Sequence, residues 1–229
     1  MSLTGKIAIV SGSASPVGLG IVRSLLQQNA TVIAPVKSSD EIALLTQSLG
    51  DISSGKLITE LTDVQEYEKM ADLVDNCIEE FGRIDIAVAG FDPHCTSPCL
   101  TDVKPGEWEK IIEGTLNKFF VFAKTILQKM KENKQGLFVS LSNTDHLPQK
   151  AYSPLFNIVS KTRLEMAKVF ANEVKDWNVE YHHLFVDNAP LKDKQKPGSI
   201  TPEMAGPYLI ELFGQKGKLS NLFKTFLGR

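Results

Sequence analysis

The side chains of this 229-residue chain that could do chemistry gather in a few loops and on one helix. Ser11-Gly12-Ser13-Ala14-Ser15-Pro16-Val17-Gly18 follows the β-branched run Ile7–Val10 and precedes a helical pattern. Glycines placed between a strand and a helix let backbone N–H groups close on a phosphate at the positive end of the helix. Without such a ligand, the same residues make a tight strand–helix turn. Asn157 and Lys161, four residues apart, share one helix face. His146, preceded by Asp145, carries a ring that can donate a proton, although loop histidines are commonly just solvated. Asp92, His94, Cys95 and Cys99 fall close together, but zinc sites take four ligands with tighter cysteine spacing, so no metal is expected. Cys77 lies on an apolar helix face and reads as core. Lys192, Lys194 and Lys196 read as a solvated loop.

The elements that must hold these residues alternate regularly. Buried strands are expected at Ile7–Val10, Thr31–Val36, Lys56–Leu61, Ile84–Ala89, Gly136–Leu141 and Val179–Val186. Helices are expected at Val17–Gln28, Ser38–Leu49, Glu66–Phe81, Trp108–Lys131, Ser153–Trp177 and Thr201–Phe213. Ser38 with Glu41 suggests a capping box, Gly82 a helix stop, and Ser153-Pro154 an N-cap and first-turn pair. Six strands each followed by a helix define an α/β protein, a doubly wound parallel sheet with helices on both faces. Such sheets bind ligands at the carboxyl ends of their strands. The expectation is a single domain over residues 1–229. Its segment 215–229 carries Leu219, Leu222, Phe223, Phe226 and Leu227 at amphipathic-helix spacing. That stripe suits packing on the chain's own domain, on a sister subunit or at a membrane surface.

Composition excludes several classes. The net charge of −2 and the 23% charged residues argue against a nucleic-acid binder. No apolar run is long enough for an integral membrane segment. Three cysteines cannot pair completely, and residues 1–30 lack a secretion-signal pattern. A cytoplasmic location is the expectation.

The loop at Ser11–Gly18 resembles the T-G-x-x-x-G-x-G loop of the short-chain dehydrogenase/reductase family. Ser11 stands at the threonine, Gly12 and Gly18 at the outer glycines, and Pro16 at the middle glycine. Asp63-Val64, Phe81-Gly82-Arg83-Ile84-Asp85-Ile86, Gly136–Ser142 and Ser160-Lys161-Thr162-Arg163-Leu164 match further family landmarks, over roughly residues 3–186. The resemblance implies a Rossmann-like fold with strand order 3-2-1-4-5-6. It also implies a nicotinamide cofactor site formed by Ser11, Gly12, Ser13, Ser15, Val17, Gly18, Lys37, Asp63, Val64, Ala89, Gly90 and Lys161. The family's NAD-binding members carry an acid after the second strand. Here Val36 is followed by Lys37, which favours NADP over NAD. Proline lacks an N–H, so Pro16 removes a donor from the cradle, and binding is expected to be weak or absent.

The family exchanges a proton through a tyrosine four residues before its lysine. A serine holds the substrate oxygen and an asparagine supports a relay water. Lys161 is retained, but Asn157 stands at the tyrosine, Asn143 at the serine (with Ser142 just before it) and Thr115 at the asparagine. An amide cannot deliver a proton as a phenol does. Tyr152 lies nine residues before Lys161, neither the family's usual four nor the seven of its enoyl-reductase branch. Two functions therefore compete. One is an NAD(P)(H)-dependent oxidoreductase acting on a small-molecule carbonyl or alcohol, with Lys161 as its anchor. The other is a non-catalytic relative serving as a regulatory, scaffold or partner subunit. A homo- or hetero-oligomer is expected in either case.

Overall fold

A computed structural model describes residues 1–50, 52–90, 99–143, 154–186 and 200–215. The strands are β1 (Ile7–Ser11), β2 (Thr31–Val36), β3 (Lys56–Leu61), β4 (Ile86–Ala89), β5 (Gly136–Asn143) and β6 (Val179–Val186). All pair in parallel, in the order β3-β2-β1-β4-β5-β6. The order reverses between β1 and β4, the switch point at whose carboxyl ends such sheets bind ligands.

The apolar runs of the central strands are explained by what covers them. On one face Val10, Val88 and Val139 pack with Ile21 and Leu25 of α1 (Pro16–Gln27) and Leu209 of α7 (Pro202–Gly214). On the other, Ile9, Ala87 and Phe138 meet Val74 of α3 (Tyr67–Phe81) and Phe122 and Ile126 of α5 (Lys118–Glu132). Each fully buried leucine- or phenylalanine-sized side chain contributes about 1.5–3 kcal/mol. Helices α1 and α7 approach closely because Gly206 faces Ser24 and the Gly20 carbonyl, where a Cβ would collide with both.

Local signals act as their chemistry requires. Ser38 caps α2 (Ser39–Leu49) by accepting the Glu41 N–H at 3.4 Å, and Glu41 Oε2 accepts the Lys37 N–H at 2.9 Å. Gly82 ends α3 in the left-handed region at φ 73°. Pro154 opens α6 (Pro154–Glu173).

Several element ends shift by one or two residues, β5 running on to Asn143, and two larger differences have a physical cause. β4 starts at Ile86, not Ile84, because the buried Asp85 acts as a clasp between strands. Its carboxylate accepts the Ile7 N–H at 3.1 Å, Lys6 Nζ at 3.2 Å and Arg83 Nη2. The helix expected over Trp108–Lys131 is divided into α4 (Pro105–Ile111), a π-helical turn at Ile112–Asn117, and α5. The wider i→i+5 turn adds a residue and re-phases the stripe that follows. Phe119 is buried as expected, whereas Phe120 is 45% exposed and Lys118 is buried. The expected helix over 215–229 and the Ser153 N-cap lie outside the described residues, except for Gln215, which follows the end of α7.

Candidate functional site

The carboxyl end of the sheet carries the expected residues. At the end of β1, buried Ser11 donates from Oγ to the Val88 carbonyl and accepts the Gly90 N–H, each at 3.1 Å. This locks β1 to β4, whose Ala89 is paired opposite Ser11. Gly12 then turns at φ 66°, where a Cβ would run into the Gly90 carbonyl oxygen. A Cβ at Gly18 would likewise strike the Gly12 carbonyl oxygen. These glycines are therefore required for the loop to fold tightly over the strand ends.

Ser15 is the N-cap of α1: its Oγ accepts the Gly18 N–H at 3.0 Å and donates to the Gly12 carbonyl at 2.8 Å. Pro16 occupies the first turn, a position suited to its fixed φ and missing N–H. Gly18's N–H is thus engaged by Ser15, and Pro16 has none to offer. The Val17 N–H is the first-turn donor that no described residue claims. Ser13 adds a buried hydroxyl with no partner among the described residues. The glycine framework fits the pyrophosphate of a dinucleotide, with fewer amide donors than a glycine at position 16 would leave.

Beyond β2 and β3 the site is charged. Lys37 follows buried Val36 and is exposed. Asp63, just before buried Val64, accepts the Gln65 N–H at 3.2 Å and Gln65 Nε2 at 3.0 Å. Lys118 enters from the start of α5 and brings its Nζ to 3.7 Å from Asp63 Oδ1. Burial holds the Lys118 ammonium below its ordinary range; Lys37 pushes it the same way and Asp63 opposes them.

The expected catalytic positions divide between the surface and the interior. Asn157 and Lys161 lie near the beginning of α6, with Lys161 exposed and Asn157 half-buried. Thr115 is buried within the π turn. Asn143 is the last residue of β5. Ser142 is buried, and its Oγ accepts a 2.9 Å hydrogen bond from Arg163 Nη2, which also donates to the Leu141 carbonyl at 2.9 Å. Deeper on the same side, Tyr181 Oη donates to Ser140 Oγ at 3.1 Å, and Ser140 Oγ lies 2.7 Å from His183 Nδ1. Burial raises the Tyr181 phenol far above its usual range, opposed by the Ser140 hydrogen bond and the Arg163 charge. It is a structural phenol with no proton to lend near neutrality.

Asp92, His94, Cys95, Asp145, His146, Tyr152 and the three loop lysines lie outside the described residues. Cys77 is core, its thiol pushed up to about 12 by burial and the Glu80 charge. Two functional-looking residues escaped sequence reasoning. Arg163 falls on the stripe Val159–Arg163–Ala167, where a charge among apolar i, i+4 neighbours was a legible sign of burial. Lys118 had no such sign, because only the π turn rotates it inward.

Comparison with known proteins agrees with this geometry. Residues 6–184 match the short chain dehydrogenase family. The chain is 30% identical over 214 residues to 3-oxoacyl-[acyl-carrier-protein] reductase FabG of Vibrio harveyi, covering 90% of this chain and 85% of that one. It is 24% identical over 195 residues to D-beta-hydroxybutyrate dehydrogenase of Rhizobium meliloti, covering 84% and 75%. Among solved structures, a metagenomic short-chain oxidoreductase in complex with NADP superposes with a TM-score of 0.79 at 18% identity, covering 94% of this chain and 93% of the other. An alcohol dehydrogenase from the archaeon Thermococcus sibiricus, complexed with 5-hydroxy-NADP, gives 0.75 at 18%, covering 91% and 90%. The two solved structures share the fold. The fold and crevice define a doubly wound α/β protein with a nucleotide-type cradle. The chain belongs to the short-chain dehydrogenase family.

Proposed function

We propose that this chain binds a nicotinamide dinucleotide in the crevice, NADP in preference to NAD, but with reduced affinity. We infer further that it does not exchange carbonyl and alcohol by a tyrosine-dependent route, and that it serves as a regulatory or partner subunit. The observation that carries the second inference is Asn157, one helical turn before Lys161 on α6. When bound, the dinucleotide supplies or accepts hydride. The protein must then supply or take up a proton beside it, and an amide has no accessible pKa for that task. The other nearby hydroxyl, at Ser142, is turned inward and held by Arg163.

The binding reading is supported by Gly12 and Gly18, whose missing Cβ atoms let the loop fold tightly over the strand ends. The preference for NADP is supported by Lys37, which stands where an acid would select the ribose hydroxyl of NAD. A second reading, an oxidoreductase with a replacement proton donor, is favoured by the retained, exposed Lys161. Its candidate donors are Ser142, His146 and Tyr152.

Calorimetric titration with NADPH and NADH, together with turnover assays on generic ketones, tests both readings. Tighter binding of NADPH with no turnover is the expected result. Robust turnover that Lys161→Ala abolishes establishes the second reading, and single substitutions at the three donors then separate them. Micromolar NADH binding, tighter than NADPH, overturns the cofactor assignment.

A further inference from the structure

We propose that the outer edge of β3 is a dimerisation surface: β3 pairs antiparallel with β3 of a second copy of this chain, about a two-fold axis at Ile58, joining two sheets into one. The surface lies two strands away from the β1–β4 switch point and is independent of the nucleotide reading.

β3 is the last strand on its side of the sheet, and among the described residues no strand pairs with its outer edge. Its inner edge is fixed by β2. The Lys56 N–H donates to the Ala30 carbonyl at 3.0 Å, and just beyond the strand the Thr62 N–H donates to the Val36 carbonyl at 2.9 Å. Backbone groups alternate in direction along a strand. Lys56, Ile58 and Glu60 therefore turn their N–H and C=O groups toward β2, and Leu57, Thr59 and Leu61 turn theirs outward. Proteins commonly blunt such an edge with a proline, a bulge or a very short strand. This one has six residues, no proline, and each residue in register with β2.

The outward groups restrict the pairing, because hydrogen-bonded positions must face hydrogen-bonded positions. An axis at Glu60 sets like charges against each other. An axis at Leu57 sets Lys56 opposite Ile58, and one at Thr59 sets Ile58 opposite Glu60. An axis at Ile58 sets Lys56 opposite Glu60 twice, once on each side, with Leu57 opposite Thr59 in the hydrogen-bonded positions. Opposite charges directly across two strands favour pairing and like charges oppose it. The three side chains share the face toward α3, where Lys56 Nζ lies 5.8 Å from the centre of the Phe81 ring and Ile58 packs against the core. Both charges are available. No described hydrogen bond or ion pair engages the Glu60 carboxylate. Lys56 Nζ lies 3.8 Å from Glu80 Oε1 with the two side chains 61% and 60% exposed, a surface pair that holds neither firmly. A groove of about 240 Å³ lined by Ile33, Ile58, Leu61, Leu73 and Phe81 leaves Ile58 half-covered. In this register the two Ile58 side chains meet across the axis and cover one another.

The test is sedimentation of the full chain over a concentration series, repeated on edge variants. Thr59→Pro removes an outward N–H and leaves the β2 ladder its bonds, and is expected to weaken dimerisation about tenfold or more. Glu60→Lys sets lysine opposite lysine and should weaken it to a similar extent. Adding Lys56→Glu to Glu60→Lys restores opposite charges and should return the dimer to within about threefold of wild type, a rescue that mere disruption of the strand does not allow. Lys56 and Glu60 are exposed, so the charge variants decide the question should the proline variant misfold. Under oxidising conditions Ile58→Cys should give a disulfide-linked dimer, since residues facing each other at a non-hydrogen-bonded position have Cα atoms about 4.5 Å apart. Leu61→Cys, which faces Gly55 in this register, should link no more than wild type. A wild type that stays monomeric up to its solubility overturns the proposal. A dimer indifferent to both Thr59→Pro and Glu60→Lys overturns it as well, by placing the contact on another face. Weakening that the charge exchange does not rescue, with no Ile58→Cys link, overturns the register and the proposal with it. NADPH titration of the same variants is expected to match wild type, so loss of the dimer leaves the nucleotide reading standing.

Discussion

Single residues in this chain are explained by what each neighbour demands of them. Pro16 suits a helix first turn, but it denies the cradle an amide. Pro16→Gly is therefore expected to tighten NADPH binding three- to tenfold, read by calorimetry. The same change should lower stability by about 1 kcal/mol through the freer unfolded chain, a Tm loss of about 2–4 °C at this length. His182 is buried, with Glu180 Oε2 at 3.7 Å from its Nε2. Burial holds its pKa below 6.5 and Glu180 opposes that. The unfolded chain therefore takes the proton first. Above about pH 6.5 neither state carries it and stability is unaffected; as pH falls below that value, stability declines until the folded imidazole also titrates. Urea unfolding of His182→Gln between pH 7 and 5 should show a shallower decline than wild type. An equal slope in both proteins would exclude His182 as the source.

Elements were legible where one periodicity served one environment. β2, β3 and β6 could be bounded to the residue, because β-branched and apolar runs between turn signals have few other uses. The same reasoning failed across Ile112–Asn117, where a π turn interrupts an unbroken helical pattern. No residue in that stretch demands the turn by itself, so the inward rotation of Lys118 could not be read from spacing. Arg163 is the opposite case: its burial could have been read from its stripe, but its partner, Ser142, could not. Packing makes a sharper prediction for β5. Phe138 is fully buried, stacked on Tyr181 with centroids 5.1 Å apart, and tilted against Phe122 at 6.1 Å. Phe138→Ala should cost about 3–5 kcal/mol, read as a lower denaturation midpoint. A loss below about 1 kcal/mol would mean that the sheet and α5 close over the gap.

At the scale of the whole molecule, we propose that the scaffold and the usual chemistry have parted company. The sheet order, the Ser11–Gly90 lock and the closely packed glycines keep the scaffold, and on that reading the amide of Asn157 stands where the resemblance places the proton donor. A scaffold dictated by burial survives such changes, because Lys161 is exposed, Asn157 is only half-buried, and neither belongs to the buried core. The missing chemistry should then be restorable through side chains alone. Asn157→Tyr places a phenol one helical turn before the Lys161 ammonium, which favours the phenolate and so lowers the tyrosine pKa. Asn143→Ser supplies a hydroxyl at the end of β5, where a substrate oxygen would be held. The double variant is expected to fold, since point substitutions commonly cost about 0.5–3 kcal/mol each, and thermal unfolding checks this. With NADPH present, it should reduce generic ketones or diketones slowly but measurably, while wild type does not. Adding Pro16→Gly should raise that rate at low cofactor concentration and leave it unchanged at saturation. The Lys161→Ala form of the same variant should be inactive. If the double variant folds, binds NADPH and shows no turnover, then the crevice has lost more than its proton donor. The buried Arg163–Ser142 pair would be the next element to rebuild, starting with Arg163→Ala.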